Sequence, residues 1–238
     1  MIDCRSDGLA LSQRTPAVYG RATRPTPRAF SRKGPPIRTL LIATNNPGKV
    51  REFRDILAGL PIRLTSLAEQ GIVVEVPEDG ETFAENAAIK ATQYARLSGL
   101  LTLVDDSGLV VDALGGAPGV RSARFAGEKA SDADRIALLL DRLRDVPSGH
   151  RQARFVCAIA VAEPTGEVWQ VGGRVEGCIT RAPRGSFGFG YDPVFYLPEI
   201  GRTMAEVEPA EKNRISHRAR AGQAARSALR EILSGGER

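Results

Sequence analysis

Apolar side chains change their spacing several times along this chain, and each change marks an element. Residues 37–43 form a short, mostly apolar run that predicts a buried strand. Thr44, Asn45, Asn46, Pro47 and Gly48 then break the run with turn-forming residues. Val50, Phe53, Ile56 and Leu57 follow at helical spacing. Residues 72–76 are mostly β-branched and predict a second strand. Thr82 with Glu85 three positions on is a capping box, predicting a helix to about residue 97 with Phe83, Ala87, Ile89 and Tyr94 available for the core. Residues 100–104 predict another buried strand ending at Asp105 and Asp106, after which Gly108, Gly115, Gly116, Pro118 and Gly119 predict a long loop region. Ile136, Leu139, Leu140 and Leu143 mark a further helix. Two apolar or alternating runs, 154–161 and 168–175, joined through Pro164, Thr165 and Gly166, predict a β-hairpin. A loop rich in Gly, Pro and aromatic residues covers 181–193, and a last helix runs from about 216 to 233. Strands alternating with helices, plus a hairpin, predict an α/β fold with a mixed sheet. No internal repeat is visible.

Residues 1–36 lack this periodicity. Rich in Arg, Pro, Ser and Thr, they predict a disordered basic extension ahead of one folded domain, 37–238. The formal net charge of +5 belongs to that extension: residues 1–38 carry eight basic and two acidic side chains, leaving the remaining 200 residues at −1. Such a balance is no argument for a nucleic-acid-binding body, and no stable nucleic-acid partner is expected. The extension itself fits a segment without function, an organelle transit peptide or a basic arm; Asp3 and Asp7 count against the transit peptide. No run of about 18 apolar residues is present to span a bilayer as a helix, so no membrane association is expected. Cys4, Cys157 and Cys178 are widely spaced with no CxxC pair, which argues against a disulfide framework or a zinc site and for a reducing, cytoplasmic compartment. With only His150 and His217 in the chain, any metal should be a hard cation held by carboxylates.

Five groups could carry chemistry. Thr44, Asn45, Asn46, Pro47, Gly48 and Lys49 sit between a strand and a helix, where backbone N–H groups and a lysine favour an anion; a plain turn with a solvated Lys49 fits as well. Glu78 lies in an acidic stretch before the capped helix that could equally be a solvated loop. Asp105 and Asp106 close an apolar strand, where open α/β sheets bind ligands and where one or two carboxylates can hold Mg²⁺; a strand-capping turn is the plainer alternative. Phe187, Phe189, Gly190, Tyr191 and Asp192 could set a ring and a carboxylate against a base, or form an ordinary packed loop. Lys212, Arg214, His217, Arg218 and Arg220 read as a basic cluster opening a helix, against the dipole preference, which suggests a positive field kept for an anion; a basic helix face is the alternative.

Taken in order, these segments resemble the inosine triphosphate pyrophosphatase family, the house-cleaning XTP/dITP diphosphatases. The resemblance covers residues 38–234 and rests on TNNPGK, PEDGETFAENAAIKA, VDDSGLVVDALGGAPGVRSARFAG, FGYDPVF and EKNRISHRA. It implies an elongated mixed sheet with flanking helices, two lobes around a central cleft, and a homodimer. It implies hydrolysis of purine nucleoside triphosphates such as ITP, dITP and XTP to the monophosphate and pyrophosphate. By the same resemblance Thr44 to Lys49 line the triphosphate site, Glu78 and Asp106 hold Mg²⁺, and Asp106 is the general base. Ser107 contacts substrate, Phe189, Gly190, Tyr191 and Asp192 recognise the base, and Lys212, His217 and Arg218 bind base or phosphates. Asp105, Lys90 and Arg124 occupy motif positions without assigned roles. Two rivals are a pyrophosphatase of the septum-inhibitor type acting on modified pyrimidine nucleotides, and a non-catalytic nucleotide-binding module.

Overall fold

The computed structural model describes residues 37–234, so the expectations for residues 1–36 lie outside the described residues. A seven-stranded mixed sheet forms the frame, in the order β2-β1-β3-β4-β5-β6-β7. β1 (Arg38–Ile42) lies between β2 (Ile62–Ser66) and β3 (Leu101–Val111), parallel to both. β4 (Gln152–Ala162), β5 (Val168–Ile179), β6 (Phe195–Leu197) and β7 (Arg202–Thr203) continue it antiparallel. Five helices flank it: α1 (Pro47–Ile56), α2 (Phe83–Ser98), α3 (Asp132–Arg142), α4 (Pro209–Ile215) and α5 (His217–Ser234).

The sheet is elongated because its outer strands attach at opposite ends of the long β3-β4-β5 ladder. β1 pairs with β3 only at Leu101, Thr102 and Leu103, whereas β6 pairs with β5 only at Cys178 and Ile179. Eleven residues of β3 span roughly 35 Å between those ends. Alternating side chains build separate cores. At the β1 end, Leu101 and Leu103 pack with Phe53 of α1 and Ala225 and Leu229 of α5, while Val104 faces Ala87, Ala91 and Tyr94 of α2. At the β6 end, Leu109 and Val111 pack with Ile136 and Leu139 of α3 and with Tyr191 and Phe195. Asp105, Asp106, Ser107 and Gly108 lie between, and this polar stretch divides the two lobes.

Three expectations are corrected. β3 does not end at Asp105 and Asp106: it runs on through Gly108 to Val111, because β4 keeps pairing as far as Val111 with Ala153. Only its parallel partner stops, so the two acids sit where β1 runs out. Residues 72–76 form no strand, and Val73 is 89% exposed. β-branched residues favour a strand only where a pleated surface receives them, and β2, absent from the sequence reading, fills the edge beside β1. The basic cluster does not open one helix. Lys212 and Arg214 close the seven-residue α4, where the dipole favours cations, and only His217, Arg218 and Arg220 open α5. β6, β7 and α4 are too short to show periodicity.

Candidate active site

Where β1 ends, Asn46 takes over the chain's direction. Its Oδ1 accepts the Gly48 and Lys49 N–H groups at 2.8 and 3.2 Å, capping α1, and the Asn46 N–H donates to Thr44 Oγ1 at 3.2 Å. Pro47 occupies the first turn, where its missing N–H costs nothing. The Lys49 ammonium then reaches back to the sheet and donates to Asp105 Oδ1 at 2.9 Å and to the Asp105 carbonyl at 3.2 Å. Thr44 and Asn45 line the same cavity as Lys49, Glu78, Lys90 and Asp106.

The adjacent acids of β3 point to opposite faces and have opposite environments. Asp105 is 3% exposed and lies between Lys49 and Arg218. Burial opposes its ionisation, but the two cations outweigh that and hold its carboxyl far below the usual range. Arg218 also donates to Glu52 at 2.6 Å and to Ser107 Oγ at 2.9 Å, so its guanidinium ties α5 to both α1 and β3. On the other face Lys90 donates to Glu78 at 2.7 Å and to Asp106 at 3.2 Å, and Arg124 pairs with Glu78 at 2.9 Å. Asp106 Oδ2 is buried without a partner. Burial raises the Asp106 carboxyl above its ordinary value despite Lys90 and Lys49, and the Glu78 charge adds to the rise. For Glu78 burial acts the same way, but Lys90, Arg124 and Lys49 outweigh it and lower its pKa.

Local sequence sets this geometry. The reciprocal bonds of Thr82 and Glu85 start α2, and Asn86 Oδ1 accepts the Gly80 N–H at 2.8 Å, so the strap bearing Glu78 is tied to the helix bearing Lys90. Gly108 allows the neighbouring turn Gly119–Arg124 to close on β3: a Cβ there would lie 2.3 Å from Ser122 Oγ and 2.7 Å from the Gly119 carbonyl.

A second cavity shares Asn46, Lys49 and Ser107 with the first and continues toward the aromatic loop. Phe189, Gly190, Tyr191 and Asp192 line it with Lys212, His217 and Arg218. The Phe189 ring rests on Gly48, where a Cβ would come within 2.7 Å, and lies under the Lys212 ammonium at 4.7 Å and the Arg218 guanidinium at 5.5 Å. Buried Lys212 joins Asp192 and Glu52, the latter at 2.9 Å. Burial raises the Asp192 carboxyl in spite of Lys212 and the Phe189 N–H. His217 is 4% exposed and stacks on Phe155 with ring centroids 4.7 Å apart. Its Nδ1 has no partner, and burial, then the Arg218 charge, push its pKa well below the ordinary value, so the ring is neutral. Tyr191 donates to the Ser122 carbonyl at 2.9 Å.

Thus residues from all five segments meet in one cleft, whereas Pro47, Gly48, Arg214 and Arg220 line neither of its two cavities. Glu52, Asp132 and Arg135 also belong there and were missed. Glu52 lies one helical turn past Lys49, so an acid facing the cleft was legible from spacing alone. Asp132 and Arg135 stand on α3, outside every segment that suggested chemistry.

The acids also fit a hard divalent cation. Glu78 and Asp106 come from different elements, share one ammonium, and leave one buried carboxylate oxygen free. Mg²⁺ needs only one or two carboxylates when phosphates and water supply the rest. Among the described residues no group of three or more His, Cys, Asp or Glu gathers to hold a metal unaided.

Comparison with known proteins agrees with this geometry. The family model described as the Ham1 family matches residues 40–228. A dITP/XTP pyrophosphatase of Geobacillus kaustophilus is 51% identical over 199 residues, covering 84% of this chain and 98% of its own. One of Desulforamulus reducens is 51% identical over 195 residues, covering 82% and 95%. The solved structure of a HAM1 protein from Coxiella burnetii superposes with a TM-score of 0.75 at 43% identity, covering 82% of this chain and 100% of that one. With the match running through both lobes and the cleft between them, the chain belongs to the Ham1 family.

Proposed function

We propose that this chain hydrolyses non-standard purine nucleoside triphosphates (ITP, dITP and XTP) to the monophosphate and pyrophosphate, using Mg²⁺. One observation carries the reading: Glu78 and Asp106 converge on Lys90 in a cavity that opens into the aromatic pocket of Phe189, Asp192 and Lys212. The names of the relatives support the substrate class.

Triphosphate charge repels an attacking water, and fixed cations offset that repulsion most where charge shifts in the transition state. Glu78 and Asp106 would hold Mg²⁺, which when bound would supply further positive charge at the phosphates. Lys49, Lys90 and Arg124 line the same cavity and draw the polyphosphate into it. The unpartnered Asp106 Oδ2 accepts the proton of the water that attacks the α-phosphorus in line. Phe189 stacks on the base; Asp192, Lys212 and the neutral His217 meet its polar edge, so a wrong base leaves buried groups unpaired. Selectivity for 6-oxo bases without a 2-amino group follows. The protein acts as a homodimer in the cytoplasm.

The test is pyrophosphate release from ITP, XTP, GTP and ATP with Mg²⁺, with and without a chelator. Rapid, chelator-sensitive release from ITP and XTP is expected. Equal rates on all four would defeat the selectivity, and no release from any would defeat the reading.

A further inference from the structure

We infer that Asp132, on the first turn of α3, is a positioning residue for base recognition. It rests on the proposed function but concerns a residue outside the motifs that suggested it. The ring of Phe189 is aimed by the backbone at 189 and 190, and both N–H groups there end on carboxylates. Phe189 N donates to Asp192 Oδ2 at 3.0 Å, a bond inside the loop. Gly190 N donates to Asp132 Oδ2 at 2.6 Å, and this bond crosses to a helix 58 positions away in sequence. Gly190 has φ of +63°, so the loop reverses at this point, where a tether has most leverage over the ring.

Asp132 is free for this role because α3 does not need it as a cap. Ser131 accepts the Asp134 N–H and Asp134 accepts the Ser131 N–H, which already closes the helix start. The other oxygen of Asp132 is held by Arg135, whose guanidinium also donates to the Ala123 and Ala130 carbonyls at 2.9 and 2.6 Å. Ala123 belongs to the turn that lines both cavities. Asp132 thus holds the aromatic loop from the α3 lobe, while Lys212 holds it through Asp192 from the α4 side. Two anchors on opposite sides fix the plane against which a base stacks.

The test separates base from phosphate. Asp132→Ala should raise KM for ITP about tenfold, the loss expected for a charge-assisted hydrogen bond, with kcat within about twofold. Competitive inhibition by inorganic tripolyphosphate, which has no base, should be unchanged. Asp132→Asn keeps an acceptor for Gly190 N and should recover most of the lost affinity; it also serves if the alanine variant folds poorly. Unchanged KM in Asp132→Ala, or tripolyphosphate inhibition weakened as much as ITP binding, overturns the assignment. Wild-type protein that releases no pyrophosphate from ITP overturns the functional reading, and this inference with it.

Discussion

Asp105 and Asp106 are neighbours in the chain with opposite physical roles. Asp105 is ionised, buried and paired with two cations, so its charge is structural. Its lowered pKa contributes stability that is present above the unfolded value and lost as pH falls toward the folded one. Removing one partner from a buried ion pair leaves the others uncompensated, and Asp105→Asn should cost on the order of 3 kcal/mol, read from urea denaturation; an unchanged midpoint would contradict the pairing. Asp106 has a free oxygen and a raised pKa, so burial disfavours its ionised form relative to the unfolded chain. Asp106→Asn should therefore keep or raise stability while kcat for pyrophosphate release falls at least about 100-fold. Turnover near wild type would remove Asp106 as the base. His217 gives a pH prediction of definite sign. Its folded pKa is lowered, so below about pH 6.5 the unfolded chain binds the extra proton and stability falls, by up to about 1.4 kcal/mol per pH unit. Unfolding measured from pH 5 to pH 8 should show that slope in the wild type and lack it in His217→Gln. Residue chemistry was only half legible in advance: the acids and bases could be named, but which of them pair, and hence which one is left free, depends on the sheet face each occupies.

Among the elements, those with strong local signals were legible. The Thr82 and Glu85 box predicted α2, and both of its reciprocal bonds form. Thr82→Ala should cost about 1 kcal/mol by thermal or chemical unfolding, and a cost near zero would show that tertiary packing alone starts the helix. The β4-β5 hairpin was also readable, because alternation and a Pro-Thr-Gly turn agree. Elements whose existence depends on distant partners were not. β3 passes through three polar residues and a glycine because β4 continues to pair beside it, which no local count of apolar positions reveals. Residues 72–76 have the composition of a strand but pair with none, the place beside β1 being taken by β2. α4 is seven residues long, shorter than two full helical turns, so Lys212 was assigned to the start of a helix when it sits near the end of one. The misplacement matters to the site: at a helix end the dipole supports the Lys212 charge, so only Arg218 and Arg220 of that cluster are cations at a helix start, and Arg218 is paired there with Glu52 and Asp105.

At the scale of the molecule, the cleft exists because the sheet is cored at both ends and polar in the middle. The motifs suggested a common site from their order, yet the distances that make it one come from β3, which carries Asp105 toward α5 and Asp106 toward α2. The residues proposed to act all lie between Thr44 and Arg218. The relative from Geobacillus kaustophilus uses 98% of its own length to match 84% of this chain, and the family model begins at residue 40. The family match therefore needs no counterpart of residues 1–36. The basic excess of the chain lies in those same residues, whereas the cations of the cleft are each matched by acids within the fold: Lys49 by Asp105, Lys90 by Glu78 and Asp106, Lys212 by Asp192 and Glu52. A variant beginning at Ile37 should retain the kcat and KM of the full chain for ITP within about twofold, since the family match begins at residue 40 and the residues lining the two cavities begin at Ala43. Loss of activity on deletion, with the melting temperature unchanged, would mean instead that the basic segment reaches the cleft and takes part in holding the triphosphate.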